Sequence, residues 1–208
     1  MLNLKNLSIV TCMALACNSV YAQTATQQLQ QFVDQVQSAK GQFSQHTTDA
    51  QGSKRPTQQG QFVFQRPGKF KWEVQQPYEQ LVWSDGQQLY QYDPDLNQLS
   101  QRQVDQAIGA SPAAILFGSG RLDDSFEVQD LAPQDQLHWL RATPKGEDAG
   151  FEYIDMAFAQ QLPVRLVLLD AFGQKTHIEL KQVDTQATIS DQDFSFDPPA
   201  DVDVVKLP

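Results

Sequence analysis

The sequence predicts a mainly β protein with helices, one domain built on a large antiparallel sheet that closes into a sandwich or a barrel. Three observations carry that expectation. Apolar and polar residues alternate with period two through most of the chain, the spacing of half-buried antiparallel strands. Turn chemistry such as Ser84-Asp85-Gly86 and Ala171-Phe172-Gly173-Gln174 recurs about every ten residues. Only two segments of the chain downstream of its apolar leader have a helical pattern.

Taken in order, Met1 to Asn6 carries one Lys, Leu7 to Cys17 is an apolar run, and Val20-Tyr21-Ala22 precedes Gln23. This is the layout of a secretory signal peptide, with an apolar stretch shorter than the roughly 20 residues a membrane-spanning helix needs. A second processing pattern overlaps it: Ala14-Leu15-Ala16-Cys17 resembles a lipobox, whose Cys is lipidated, although Ala14 stands where that pattern prefers Leu. The expectation is cleavage after Ala22, leaving a single domain over 23–208. Both cysteines depart with residues 1–22, so the core alone must stabilise the remainder. The full chain carries 25 acids against 15 bases. That balance repels nucleic acid and anionic lipid surfaces.

From Thr24 to Lys40 the apolar residues Leu29, Phe32, Val33 and Val36 fall at helical spacing, predicting an amphipathic helix of about four turns. Thr24 or Thr26 caps it and Gly41 ends it. Strands are expected from Phe43, over Thr57 to Arg66, over Phe70 to Val74, and at Leu81-Val82-Trp83 and Leu89-Tyr90-Gln91-Tyr92 around a hairpin turn. Gln98 to Val104 returns as another. Ser111-Pro112-Ala113-Ala114-Ile115-Leu116-Phe117-Gly118 has Ser at an N-cap, Pro at the first helical position and Gly past the end, predicting a short apolar helix. Residues 119–136 give no clear pattern. Strands resume at Leu137 to Thr143, Phe151 to Phe158, Leu162 to Asp170, Lys175 to Val183 and around Phe194 to Phe196. A twisted sheet of ten or so strands tends to curl. Its concave face must be filled by side chains, by a ligand, or by the apolar faces of the two helices.

Strand period sorts the candidate residues. Phe62, Phe64 and Arg66 point one way from their strand, and Phe70, Trp72 and Val74 share a face of the next, with Lys69, Lys71 and Glu73 opposite. Arg66 thus stands on or beside an aromatic face, where an unpaired charge is costly. Two readings follow: a latch whose guanidinium bonds backbone carbonyls at a helix end, or an Arg at a strand end reaching back to water.

The segment Arg66-Pro67-Gly68-Lys69-Phe70-Lys71-Trp72 resembles the Arg-Pro-x-x-Phe-x-Trp stretch of the outer-membrane lipoprotein carrier family, LolA. The likeness extends through Gly41-Gln42-Phe43-Ser44-Gln45, Gln76-Pro77, Ser84-Asp85-Gly86, Leu89-Tyr90-Gln91-Tyr92-Asp93-Pro94, Ser111-Pro112 and Phe194-Ser195-Phe196-Asp197-Pro198-Pro199. The resemblance implies an incomplete antiparallel β-barrel whose α-helical lid covers a hydrophobic cavity for the acyl chains of lipoproteins. It implies that Arg66 latches the lid and that Phe70 and Trp72 face the cavity. We place Phe62, Phe64, Leu81, Trp83, Tyr90 and Tyr92 there too, and Leu29, Phe32, Val33, Val36, Ile115, Leu116 and Phe117 on the lid helices. The resemblance also implies a monomeric periplasmic chaperone that takes cargo from an inner-membrane ABC transporter and delivers it to an outer-membrane acceptor lipoprotein, with no cofactor. Lipidation at Cys17 would instead make the chain such an acceptor. A lipid- or unfolded-protein-sensing regulatory module is the other reading. Catalysis finds little support: His46, His138 and His177 lack metal-ligand spacing, no nucleophile elbow or phosphate loop occurs, and Asp123-Asp124 and Asp191/Asp193 read as solvated surface.

Overall fold

A computed structural model describes residues 23–103, 116, 125–146 and 150–207. Residues 1–22, with the expected signal peptide, and Ile115 and Phe117 of the expected second helix lie outside them. The chain enters through helix α1, Ala25–Gln35. Its start is a capping box: Thr24 Oγ accepts from the Gln27 N–H at 3.2 Å, and the Gln27 side chain accepts from the Thr24 N–H at 3.1 Å, satisfying two donors that a helix start leaves open. Leu29 and Phe32 are buried on its inner face.

Among the described residues twelve strands form one sheet: β1 Ser38–Thr48, β2 Gln58–Gln65, β3 Lys69–Gln76, β4 Gln80–Asp85, β5 Gln88–Asp93, β6 Gln98–Gln103, β7 Phe126–Asp130, β8 His138–Pro144, β9 Phe151–Ala159, β10 Leu162–Asp170, β11 Lys175–Asp184 and β12 Asp203–Lys206. Their order is β12-β6-β5-β4-β3-β2-β1-β11-β10-β9-β8-β7. Every ladder is antiparallel except the parallel β12–β6 pair. Among the described residues β12 and β7 end the order without meeting, so the sheet is open and curved, an incomplete barrel. The expected class holds.

Two local expectations need correction, and one unread segment holds a strand. The first helix stops at Gln35, not Lys40. Val36 caps it in an extended conformation, and Ser38, Ala39 and Lys40 pair with Gln65, Phe64 and Val63 of β2. Sheet pairing there outweighs the helix propensity of Ala and Lys. Phe194 closes a 3-10 helix, Asp191–Phe194, and Phe196 lies outside any strand; the Asp193 carboxylate accepts from both the N–H and the hydroxyl of Ser190 at 2.7 and 2.9 Å, which fixes that turn. The final strand lies further on, at β12. Within the segment that gave no clear pattern, Phe126–Asp130 forms the edge strand β7.

The core lies between the sheet and α1. Leu29 and Phe32 of α1 join Phe43, Phe62, Phe64, Phe70 and Trp72 from β1–β3 and Leu140, Ile154, Met156, Phe158, Leu166 and Ile178 from β8–β11 in one continuous cluster. Phe43 stacks on Trp72 with centroids 3.8 Å apart, and Phe62 lies 5.9 Å from the same indole. Gly60, at a register shift in β2, allows this stack: a Cβ there would collide with the Glu73 carbonyl and with the Phe43 ring.

A clasped aromatic face and the family of the chain

The candidate site is the α1-covered face of β1–β3 with the arginine at its rim. Strand alternation aims Phe62 and Phe64 of β2 and Phe70 and Trp72 of β3 to the same side, because the register pairs Phe62 with Trp72 and Phe64 with Phe70. All four are buried. Phe64 is fully enclosed and lies 6.0 Å from the Phe32 ring of α1. Val33 and Val36 pack partly buried against the same cluster, and Leu116 is buried in it.

Arg66 follows β2 directly. Its backbone N–H donates to the Gln37 carbonyl at 2.8 Å. Its Nε donates to the Val36 carbonyl at 3.1 Å, and Nη2 donates to the Leu116 carbonyl at 2.9 Å. The guanidinium carbon stands 5.6 Å from the Phe32 centroid and 5.3 Å from that of Phe64, within the range of cation–π attraction. Burial lowers its pKa from the ordinary value, yet a guanidinium keeps its proton. One permanently charged fork thus joins the sheet to the end of α1 and to Leu116 through acceptors that no side-chain substitution can remove.

The other end of α1 is held by contacts that sequence reasoning missed. Gln28 is buried, and its side chain accepts from the Gln161 N–H at 3.2 Å and donates to the Gln23 carbonyl at 3.3 Å. The Thr26 N–H donates to Asp130 of β7 at 2.9 Å. The signal in the sequence was slight: Gln28 stands directly before the apolar position Leu29, where a neutral glutamine reads as solvated.

Leu81, Trp83, Tyr90 and Tyr92 come together, but on the opposite face of the sheet. Lys71 pairs with Trp83 and Glu73 with Leu81 across β3–β4, so these side chains point away from Phe70 and Trp72. With Leu99 they make a second cluster, covered by Phe196 and Val202 of the C-terminal segment. Phe196 lies 5.1 Å from Trp83 and 4.9 Å from Tyr92. Their placement on the cavity face is therefore corrected: β4 is apolar on both sides at Leu81-Val82-Trp83, and Val82 is the one that packs on the main core.

Elsewhere the outer face is polar. A groove of about 510 Å³ is lined among others by Lys40, Lys71, Asp184 and Asp193, a lining unsuited to an acyl chain. His46 and His177, paired across β1–β11, stack at 4.9 Å. Burial first, and then Lys54, lowers the pKa of His46 against the opposing pull of Glu179. Burial and then His46 lower that of His177. Among the described residues no three His, Cys, Asp or Glu side chains converge as metal ligands.

Comparison with known proteins adds the family. Residues 34–197 match the model of the outer membrane lipoprotein carrier protein LolA. An outer-membrane lipoprotein carrier protein of Bordetella avium is 53% identical over 204 residues, covering 98% of each chain. One of Cupriavidus pinatubonensis is 42% identical, covering 97% of this chain and 99% of its own. A crystal structure of a LolA superfamily protein from Nitrosomonas europaea has a TM-score of 0.52 at 12% identity, covering 84% of this chain and 99% of that one, which shows the fold alone. A family model spanning most of the chain and relatives above 40% identity at nearly full length agree, and the chain belongs to the LolA family of outer-membrane lipoprotein carrier proteins.

Proposed function

We propose that this chain shields the acyl chains of lipoproteins in the periplasm, taking them from an inner-membrane ABC transporter and handing them to an outer-membrane acceptor lipoprotein, without catalysis. The need is energetic. Each exposed CH₂ costs about 0.8 kcal/mol, so one long acyl chain costs on the order of 10 kcal/mol in water. Cargo requires an apolar enclosure, and the enclosure must also let go.

The single observation that carries the reading is Arg66 bonded to the carbonyls of Val36 and Leu116 above the aromatic face. In this reading Phe62, Phe64, Phe70 and Trp72 line the acyl site, while Leu29, Phe32, Val33, Val36 and Leu116 belong to the lid, with Ile115 and Phe117 assigned to it from sequence. The aromatic side chains fill the site: Phe32 lies against Phe64, and Phe43 and Phe62 stack on Trp72. Cargo must displace these contacts and break the Arg66 bonds, and that cost subtracts from its affinity. Residues 1–22 serve as the cleaved export signal.

The test uses the processed chain. A fluorescent apolar probe bound to it should be displaced by a triacylated lipoprotein and not by the same protein without its lipid. Displacement by the unlipidated form, or failure of the lipidated form to displace, would contradict the carrier reading. Mass spectrometry of the N-terminus should find Gln23; a diacylglyceryl group on Cys17 would assign the chain to the acceptor role.

A further inference from the structure

The acidic excess of the chain is confined to two stretches of sequence, and Glu79, Asp93, Asp95, Asp201 and Asp203 gather at one end of the sheet, by the β3–β4 and β5–β6 turns. Residues 73–101 hold five acids and residues 182–205 hold six, with no Lys or Arg in either stretch, while the remaining residues hold 14 acids against 15 bases. The fold brings these stretches together. β12 pairs with β6, Asn97 donates to the Asp201 carbonyl at 2.9 Å, and the Asp203 N–H donates to the Asn97 carbonyl at 3.0 Å. Lysines offset part of the charge, since Lys69 binds Asp191 at 2.8 Å and Lys40 and Lys71 lie near Asp193. Glu79, Asp93, Asp95, Asp201 and Asp203 form no ion pair among the described residues.

Charge at a sheet edge is a common guard against unwanted strand pairing and carries no docking argument alone. The exposed apolar side chains do. Five large ones are exposed among the described residues, and three of them stand in this corner: Tyr78 at 66%, Leu96 at 70% and Val204 at 50%. Tyr78 is in the β3–β4 turn and Leu96 in the β5–β6 turn, tips two strands apart and so roughly 10 Å from each other. Among the described residues the outer edge of β12 is unpaired. Large apolar groups kept in water inside a ring of carboxylates fit a partner that supplies apolar contacts within a basic rim.

We propose that this corner docks a protein partner whose surface sets lysines and arginines around apolar side chains. The proposal rests on the carrier reading and deepens it: the partner is a protein that loads or unloads the carrier. Anionic lipid is excluded as the occupant by repulsion. Location supports the role. β3 runs from the turn beside Arg66 to the turn holding Tyr78, so roughly 25 Å of strand separates the docking corner from the clasp. A partner held here leaves the lid free to open.

The experiment follows two rates with the processed chain, pick-up of lipoprotein from vesicles containing the inner-membrane transporter and delivery to the acceptor, each at low and high salt. Glu79→Lys/Asp95→Lys/Asp201→Lys should slow at least one rate on the order of tenfold at low salt and flatten its salt dependence. Tyr78→Ser/Leu96→Ser should slow the same step while keeping the salt dependence. Displacement of the apolar probe by lipoprotein should match the unaltered chain in both variants. Unchanged rates and salt dependence in both variants would overturn the proposal, as would binding of the unaltered chain to protein-free phosphatidylglycerol vesicles that the Tyr78→Ser/Leu96→Ser variant loses. Failure of the unaltered chain to bind lipoprotein would sink the carrier reading, a result the probe assay separates from a fault of this surface alone.

Discussion

The two faces of the sheet carry similar aromatic clusters and close them differently. On the inner face Phe62, Phe64, Phe70 and Trp72 lie under α1, and Arg66 joins the sheet to the carbonyls of Val36 and Leu116 and lies over the rings of Phe32 and Phe64. On the outer face Trp83, Tyr90 and Tyr92 lie under Phe196, held by the parallel pairing of β12 with β6. The outer cover belongs to the C-terminal segment, which β12 anchors to the sheet with ladder bonds of its own. The inner cover is tied by a few polar contacts whose loss leaves the sheet ladders intact. Stability depends on both faces; opening, in the carrier reading, belongs to the inner one.

Substitutions should separate the two. The largest effect is expected from Phe64→Ala, which empties a fully enclosed site beneath both Phe32 and Arg66. It should cost about 3–5 kcal/mol in urea unfolding and weaken lipoprotein binding. Phe196→Ala on the outer face should cost about 1–2 kcal/mol, because that ring is only partly buried, and should leave lipoprotein binding unchanged. Weaker binding in that variant would show that the faces are coupled.

A smaller effect concerns the outer face alone. Burial and then Lys54 hold His46, and burial and then His46 hold His177, below the ordinary imidazole value. A group whose pKa is depressed on folding binds fewer protons in the folded than in the unfolded chain. Its stabilising share is complete above the unfolded value near 6.5 and is lost as pH falls below it. The melting temperature should therefore drop between pH 7 and pH 5, and His177→Gln should flatten that slope. An equal slope in the variant would assign the acid sensitivity to other groups.

Much of this architecture was legible in the residues, and the misreadings have physical causes. β3 was readable because Lys69, Lys71 and Glu73 alternate with Phe70, Trp72 and Val74, so only one face can be buried. β4 was not, because Leu81, Val82 and Trp83 satisfy either face, and the choice is made by pairing with β3 and by a C-terminal cover more than a hundred residues later. Ser38 to Lys40 read as helix since Ala and Lys favour it, yet β2 recruits them. β7 went unread because two apolar residues, Phe126 and Val128, are too few to declare a period. Arg66 was recognisable beside an aromatic run and by family likeness. Its acceptors were not readable, because Val36 and Leu116 contribute backbone carbonyls 30 and 50 residues away.

The central claim is that Arg66 sets the balance between a closed, empty carrier and an open, loaded one. Hydrogen bonds from a charged donor contribute about 1.5–3 kcal/mol each, so losing two in Arg66→Leu should move that balance toward the open state on the order of a hundredfold or more. Lipoprotein transfer from the purified variant to the acceptor measures it directly. The account predicts that Arg66→Leu takes up lipoprotein readily and retains it when the acceptor is added. Transfer at the rate of the unaltered chain would contradict it.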